Sequence, residues 1–283
     1  MYILFDLQCF EKNVLAEEFI FAHQPGDNYF HQILEAAIEA ADGTHTVTKH
    51  YFTFDIPQSR ILRSLEDNAN SPINVHFSGH SIEREKSLLQ IDVPLTRGLY
   101  GYRMFIIRAE DQQKFEGIST LSSLTQKITV GSGTSWPDTK ILKDAGFTVK
   151  TGSRSDLWVL LGRKRFTGFP RSIYEIYTDI ANPPAHLAST PLAIERSIML
   201  HYPFDLFFYL APNDTLRGDI LKQGLERIYN NGKFMEIFLE SPSAQEALHD
   251  IEKFRPQIFR IQNTLSTERL EAIPERYWHS FDN

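Results

Sequence analysis

Apolar and polar positions alternate in two different periods along the chain, dividing it into short strands and amphipathic helices that take turns from Glu18 onward. EFIFAH (Glu18–His23) reads as a strand, Pro25–Asn28 as a turn and helix cap, and Tyr29–Ala41 as a helix. Phe30, Ile33, Leu34, Ala37, Ile38 and Ala41 recur at helical spacing on one face of it, and Gly43 supplies the stop. Thr46–Phe54 is β-branched and aromatic and reads as a second strand; Ser59–Glu66 is a short helix with Ile61, Leu62 and Leu65 inward; Ile73–Ser78 is a third strand. That series is the signature of a parallel sheet covered by helices.

Tyr100–Arg108 (YGYRMFIIR) is apolar enough for a fully buried strand, and the charged stretch Ala109–Glu116 follows it. The alternation then restarts. Strands are expected at Lys127–Val130, Phe147–Lys150, near Phe166–Phe169 and within Ala188–Leu200, with helices at Pro137–Ala145, Asp156–Leu161 and from Ser172 to Asp179. Phe207–Leu210 is a last strand; helices follow at Leu216–Tyr229, ended by Gly232, at Phe234–Leu239 and at Ala244–Phe254. From Arg255 the tail alternates irregularly and is expected to lie along the surface. The pattern predicts two α/β units, the second beginning just after Arg108.

Within the second, Ser119–Leu142 reads strand, Gly-x-Gly-Thr-Ser turn, helix start. Backbone N–H groups and two hydroxyls gathered at a helix N-terminus can hold an anionic group, and equally can simply cap the helix.

Composition narrows the classes. A chain of 283 residues, 42% hydrophobic and 23% charged, can build two lobes with separate cores. A net charge of -7 without a long Lys/Arg block argues against nucleic acid as a partner; Arg163, Lys164 and Arg165 are one solvated turn. The single cysteine, Cys9, excludes an internal disulfide and any cysteine-rich metal site. No stretch approaches the roughly 18 apolar residues of a membrane span. The start, MYILFDLQCFEKNVLAEE, lacks a basic n-region and is interrupted by Asp6, so it does not read as a secretory signal. His76 and His80 are four apart but fall on a strand and turn, so no metal site is expected. There is no Gly-x-Ser-x-Gly, P-loop or His-Glu-x-x-His, and Gly131-x-Gly133 is too short for a dinucleotide fingerprint, so no cofactor and no catalytic residue is assigned.

Three segments in order carry a resemblance: SGHSIEREKSLLQIDVPLTRGLYGYRMFIIR, ITVGSGTSWPDTKILKDAG and FFYLAPNDTLRGDILKQGLERIYNNGKFMEIF. They are similar to the type 2 periplasmic solute-binding proteins, in the amino-acid-receptor branch (extracellular solute-binding family 3). A poorly characterised bacterial subgroup shares Arg97-Gly98-Leu99-Tyr100-Gly101-Tyr102-Arg103, Trp136-Pro137-Asp138-Thr139 and Phe169-Pro170-Arg171-Ser172. The resemblance covers roughly Glu18–Leu239. It implies a two-lobed α/β fold, each lobe a mixed, mostly parallel sheet flanked by helices, with two hinge crossings near Met104–Arg108 and Phe207–Tyr209. Residues 15–105 would form the N-terminal part of lobe 1, 106–208 lobe 2, and 209–283 the completion of lobe 1 with the C-terminal helices and tail.

It also implies a role and a site. The role is solute binding between lobes, for an ABC transporter permease or a membrane sensor, by a monomer without enzymatic activity. Arg84 stands where the family arginine clasps a ligand carboxylate, a task suited to a guanidinium fork, with Ser81 at the family's hydroxyl position. Thr134 and Ser135 would face Arg84 across the cleft, and Trp136 would be either a stacking wall or a cover on the lobe core. Tyr29 is a candidate for the opposite wall. Arg171 stands where amino-acid receptors place the acid for the ligand's ammonium group. If it faces the cleft, the site prefers an anionic, carboxylate-bearing ligand, with Arg103 either a third charge or the partner of an acid on the hinge. Two alternatives stay open: a dehydratase-like enzyme, using Asp92, Glu83 or Glu175 as the acid, and a cytoplasmic or tethered sensing module. The family is periplasmic; the missing leader keeps the cytoplasm open.

Overall fold

A computed structural model describes residues 16–23, 28–52, 56, 58–67, 70–187 and 189–279. Cys9, the Pro25–Asp27 turn and the end of the strand expected to reach Phe54 lie outside these residues.

The chain begins with β1 (Glu18–His23), α1 (Asn28–Ala40) and β2 (Thr46–Tyr51), and β1 and β2 pair in parallel. It continues through α2 (Gln58–Glu66), β3 (His76–Gly79), α3 (Ile82–Ser87) and β4 (Leu89–Gln90). A parallel bridge between Phe21 and Val75 sets the entry to β3 beside β1. β5 (Tyr102–Arg108) opens the second unit and leads into a 3-10 turn at Ala109–Phe115. Then come α4 (Leu121–Lys127), β6 (Val130–Gly133), α5 (Pro137–Asp144), β7 (Val149–Gly152), α6 (Arg154–Gly162), β8 (Gly168–Ser172), α7 (Ile176–Ala181) and β9 (Leu192–His201). The remainder is β10 (Leu206–Leu210), α8 (Thr215–Asn230), α9 (Lys233–Glu240), α10 (Pro242–Phe254), β11 (Gln257–Arg260) and α11 (Glu268–Glu271).

The helices start where their local chemistry predicts. Capping boxes at Thr120/Ser123 and Ser153/Asp156 open α4 and α6, and Pro137 and Pro242 occupy the first turns of α5 and α10. α1 and α8 pack so closely that a Cβ on Gly224 would lie 1.9 Å from the Ala37 carbonyl oxygen. Only a glycine fits that crossing.

Two lobes result. In the first, β10 runs antiparallel to β3 and β4, and β1 and β2 extend the layer. In the second, six strands take the order β11-β9-β5-β8-β6-β7, with β6 parallel to β7 and β8, β11 parallel to β9, and β5 antiparallel to β8 and β9. β5 is buried along its whole length: Met104 and Ile106 enter one core, Phe105 and Ile107 the other. The first of those cores is continuous with that of the first lobe, so one face of the second lobe is packed against the first.

Three elements depart from expectation. Lys127 ends α4 rather than opening a strand, and β6 begins at Val130. β8 covers Gly168–Ser172, which puts Arg171 inside a strand and delays the next helix to Ile176. The tail is structured: β11 joins the outer edge of the second lobe's sheet, and Leu270, Ile273 and Tyr277 then enter the first lobe's core. The chain therefore passes between the lobes four times: near 91–101, near 202–205, along α10 on the way to β11, and back again beyond β11. The crossings expected near Met104–Arg108 and Phe207–Tyr209 fall instead inside β5 and β10, each a strand of a single lobe's sheet.

Candidate functional site

The inter-lobe junction gathers most of the expected residues. From the first lobe comes α3, capped by Ser81, whose Oγ accepts from the Arg84 backbone N–H at 3.3 Å. Ser81 also hydrogen-bonds Glu83, which lies below the usual carboxylate range because of its own backbone N–H and that hydroxyl. Ser81 is thus committed to the helix start. The Arg84 guanidinium is half-buried, and its one hydrogen bond among the described residues is from Nη1 to the Gly79 carbonyl at 2.5 Å. Burial holds its pKa below the ordinary value, partly offset by Tyr209 and Asp138.

From the second lobe, α5 points its first turn toward the same junction. Thr134 and Ser135 are exposed, but among the described residues no hydrogen bond joins them to Arg84; the charge on this turn that reaches Arg84 is Asp138. Asp138 Oδ1 lies 2.6 Å from Arg103 Nη2 and accepts from the Tyr202 hydroxyl. Arg103, 3% exposed, sits over the rings of Tyr100, Tyr202 and Phe204. Burial alone disfavours its charge, but the Asp138 carboxylate more than compensates and leaves the pKa above the ordinary arginine value. Of the two roles expected for Arg103, pairing with an acid at the junction is the one observed.

Arg171 does not stand free in a cleft. It is 4% exposed, with Nε 2.5 Å from Asp179 and Nη2 2.9 Å from Glu175. Its guanidinium lies over Trp136 at 5.1 Å and Phe169 at 5.3 Å from the ring centroids. The physical reason is register: in a strand, Phe169 and Arg171 share a face, and that face meets α7, which carries Asp179. Burial opposes the charge, and Asp179 followed by Glu175 overrides it, so this arginine is also held protonated. Trp136 stacks on Phe169 at 6.3 Å and covers Gly133, the core-covering role.

Tyr29 donates to the Leu95 carbonyl at 2.6 Å and lies 5.2 Å from the ring of Tyr174, which reaches it from the other lobe. Tyr174 in turn hydrogen-bonds Ser241 at 2.8 Å. Aromatic side chains thus close the junction on this side.

Two acids complete the arrangement and were not expected as partners. Glu175 accepts from the Tyr100 hydroxyl at 2.5 Å and lies 4.0 Å from Arg103 Nη1. The side chains of Asp138 and Glu175 are 14% and 23% exposed, whereas the arginines behind them are nearly inaccessible. The signal available in sequence was spacing: Glu175 and Asp179 follow Arg171 at intervals of four. His76 and His80 are buried on the first lobe's side, His80 Nδ1 lying 3.0 Å from Gln90 Oε1, and no cluster of metal-ligating side chains occurs among the described residues. No helix of the described residues is long and apolar enough to cross a membrane.

Solved structures with the same architecture include amino-acid-binding proteins. An ancestral arginine-binding protein bound to arginine is 15% identical, with a TM-score of 0.53 over 82% of this chain and 99% of that one. A probable amino-acid ABC transporter extracellular-binding protein of Bacillus subtilis is 12% identical, with a TM-score of 0.57 over 82% and 99%. An ancestral amino-acid-binding protein described as a precursor of cyclohexadienyl dehydratase is 12% identical, with a TM-score of 0.52 over 80% and 95%. No family model matches the chain, and no curated protein matches it in sequence. The chain has the two-lobed fold of the type 2 periplasmic amino-acid-binding proteins.

Proposed function

We propose that the protein is a solute-binding protein that clamps a small, carboxylate-bearing, amino-acid-like ligand between its lobes, for delivery to an ABC transporter permease or a membrane sensor. In place of 15–105 with 209–283 against 106–208, one lobe holds β1–β4 and β10 and the other β5–β9 and β11; the protein works as a monomer on the periplasmic side, where a structural neighbour is a periplasmic binding protein. The observation that carries the reading is the division of charge at the junction. Arg84 approaches from one lobe with donors to spare, while Asp138 and Glu175 form the accessible edge of the other.

That division revises the ligand's character. Arg171 and Arg103 are neutralised by Asp179, Glu175 and Asp138, so the second lobe offers no excess positive charge. A ligand with a carboxylate for Arg84 and a cationic group for the acids fits better than a simple anion. Thr134 and Ser135 remain the exposed donors beside α5. No observation favours the dehydratase alternative: Asp92 is held by Arg269 at 2.8 Å, Glu83 lies below its usual range, and Glu175 sits on Arg171. Acids engaged in this way suit binding rather than proton donation.

The test has two stages. Native mass spectrometry of protein purified without added ligand identifies what it carries, and a thermal-shift panel pairs amino acids with their deaminated analogues, since a ligand of the folded state raises its stability. Arg84→Ala is then expected to weaken binding of the best ligand roughly tenfold or more, the loss of a charge-assisted contact worth about 1.5–3 kcal/mol. Affinity unchanged within about twofold would remove Arg84 from the site.

A further inference from the structure

The tail beyond α10 is built unlike a surface appendage. β11 pairs in parallel with β9, ending with Arg260 opposite His201, and the Ile261 N–H donates to the His201 carbonyl at 2.9 Å. Asn263 donates to the Pro203 carbonyl at 2.7 Å, Thr264 to Asp144 at the end of α5, and Leu265 is buried in the second lobe's core. One residue later the partners change lobe. Thr267 Oγ1 donates to Glu85 at 2.7 Å, on the helix that carries Arg84. Arg269 Nε lies 2.8 Å from both oxygens of Asp92, and its Nη2 donates to the Gln90 carbonyl at 2.6 Å. Leu270, Ile273 and Tyr277 are buried in the first core, Tyr277 edge-on to Tyr229, and the His279 N–H reaches the Arg97 carbonyl at 2.7 Å.

Ser266 alone separates the last anchor on one lobe from the first on the other. Two residue steps reach at most about 7 Å, so this link holds almost no slack. It also leaves the sheet beside two of the other passages: Tyr102 lies opposite His201, and His201 opposite Arg260. With α10, which carries the chain from the first lobe to β11, these links resist twisting of one lobe on the other, which two flexible ones permit.

We propose that residues 256–279 are a strap that fixes the Arg84 helix relative to the second lobe and restricts the lobes to a narrow range of orientations. The proposal deepens the solute-binding reading and rests on it for its purpose: the strap positions Arg84 against Asp138 before any ligand arrives. Thr267 and Arg269 are positioning residues, acting through α3 and the strand after it.

The experiment reads lobe geometry without ligand. In a Cys9→Ser background, spin labels at Glu39→Cys and Lys143→Cys, exposed on α1 and α5, report the inter-lobe distance by electron double resonance. The strap is lengthened by inserting Gly-Gly-Ser-Gly-Gly between Ser266 and Thr267, which adds up to about 17 Å of reach while keeping every anchor residue. The same insertion after Gly117, an open turn within the second lobe, is the control. A single narrow distribution is expected for the parent and the control, and one roughly doubled in width, with a longer-distance population, for the lengthened strap. Should that insertion fail to fold, Thr267→Val with Arg269→Met cuts the first-lobe anchors at constant length and is expected to broaden the distribution in the same way. A parent as broad as the variants, or variants as narrow as the parent, overturns the proposal. Broadening together with a wholly negative ligand panel would keep the strap and remove the solute-binding reading.

Discussion

Asp138→Asn is the substitution that best tests the charge arrangement. It keeps the side chain's shape and an acceptor oxygen for the Tyr202 hydroxyl, and it removes only the charge facing Arg103. Stripping one member from a buried pair costs about 3–5 kcal/mol, because the other charge is left in a poorly solvating place. Two features move the expectation to the lower end. Glu175 stays 4.0 Å from Arg103, and three aromatic rings still face the guanidinium, the nearest centroid at 4.8 Å. A loss of about 2–3 kcal/mol follows, or a fall in melting temperature of roughly 4–10 °C for a chain of this size. Arg103→Met combined with Asp138→Asn removes both charges, and a coupling of about 1.5 kcal/mol or more in the double-mutant cycle is expected. Calorimetry suits the measurement, because two lobes need not unfold in one step. A coupling below about 0.5 kcal/mol would place the pair with screened surface contacts and refute the reasoning.

Two further outcomes follow from buried groups in the first lobe and at the junction. Burial pushes His76 down to about 3 from 6.5, so the unfolded chain takes up the proton first and stability falls as pH drops below about 6.5, by about 2 kcal/mol at pH 5. Asp205, which burial pushes up to about 7, takes up its proton first in the folded state and offsets that loss over the same range. The measure is therefore the difference between denaturant melts of the parent and of His76→Gln from about pH 7.5 to about pH 5, which should move in the variant's favour by about 2 kcal/mol; equal slopes would discount His76. Asp205 is buried and accepts from the Thr96 N–H and hydroxyl, the Leu206 N–H and the Gly98 N–H, stitching the outward passage between the lobes to the return. Asp205→Ala is expected to cost about 3 kcal/mol or more, since each stranded buried donor costs about 1–3 kcal/mol; a loss under about 1 kcal/mol in the same melts would mean that water replaces the carboxylate.

The elements most legible in sequence were those whose own residues decide their burial. β5 and β10 are apolar through their length, and α1 carries a single apolar face, so period alone locates them. The shorter pieces were not self-sufficient. The sequence of α4, LSSLTQK, reads poorly as a helix until its Thr120/Ser123 box is considered, and β8 contains a glycine and a proline that hide a strand. β11 is four residues long, at a sheet edge, paired on one side only. Its place depends on β9 rather than on any pattern of its own.

The site was legible in position but not in sign. The resemblance brought Arg84, Trp136, Arg103 and Arg171 to the junction, yet the charge a ligand meets depends on which acids fold back onto those arginines. Those partners come from separate elements: Asp138 from α5 meets Arg103 in β5, and Asp179 from α7 meets Arg171 in β8. A displacement of only two or three residues in where β8 ends decides the matter. Arg171 at a helix start would project into the cleft as a second cation; inside the strand it shares a face with Phe169, lies under Trp136 and is closed off by Asp179. The accessible edge then carries Arg84 from the first lobe and, from the second, the carboxylates of Asp138 and Glu175, each backed by a buried arginine, with the exposed Arg154 on Asp179. On the solute-binding reading proposed above, that polarity, rather than the number of arginines, sets the ligand to be sought: one that carries both signs of charge.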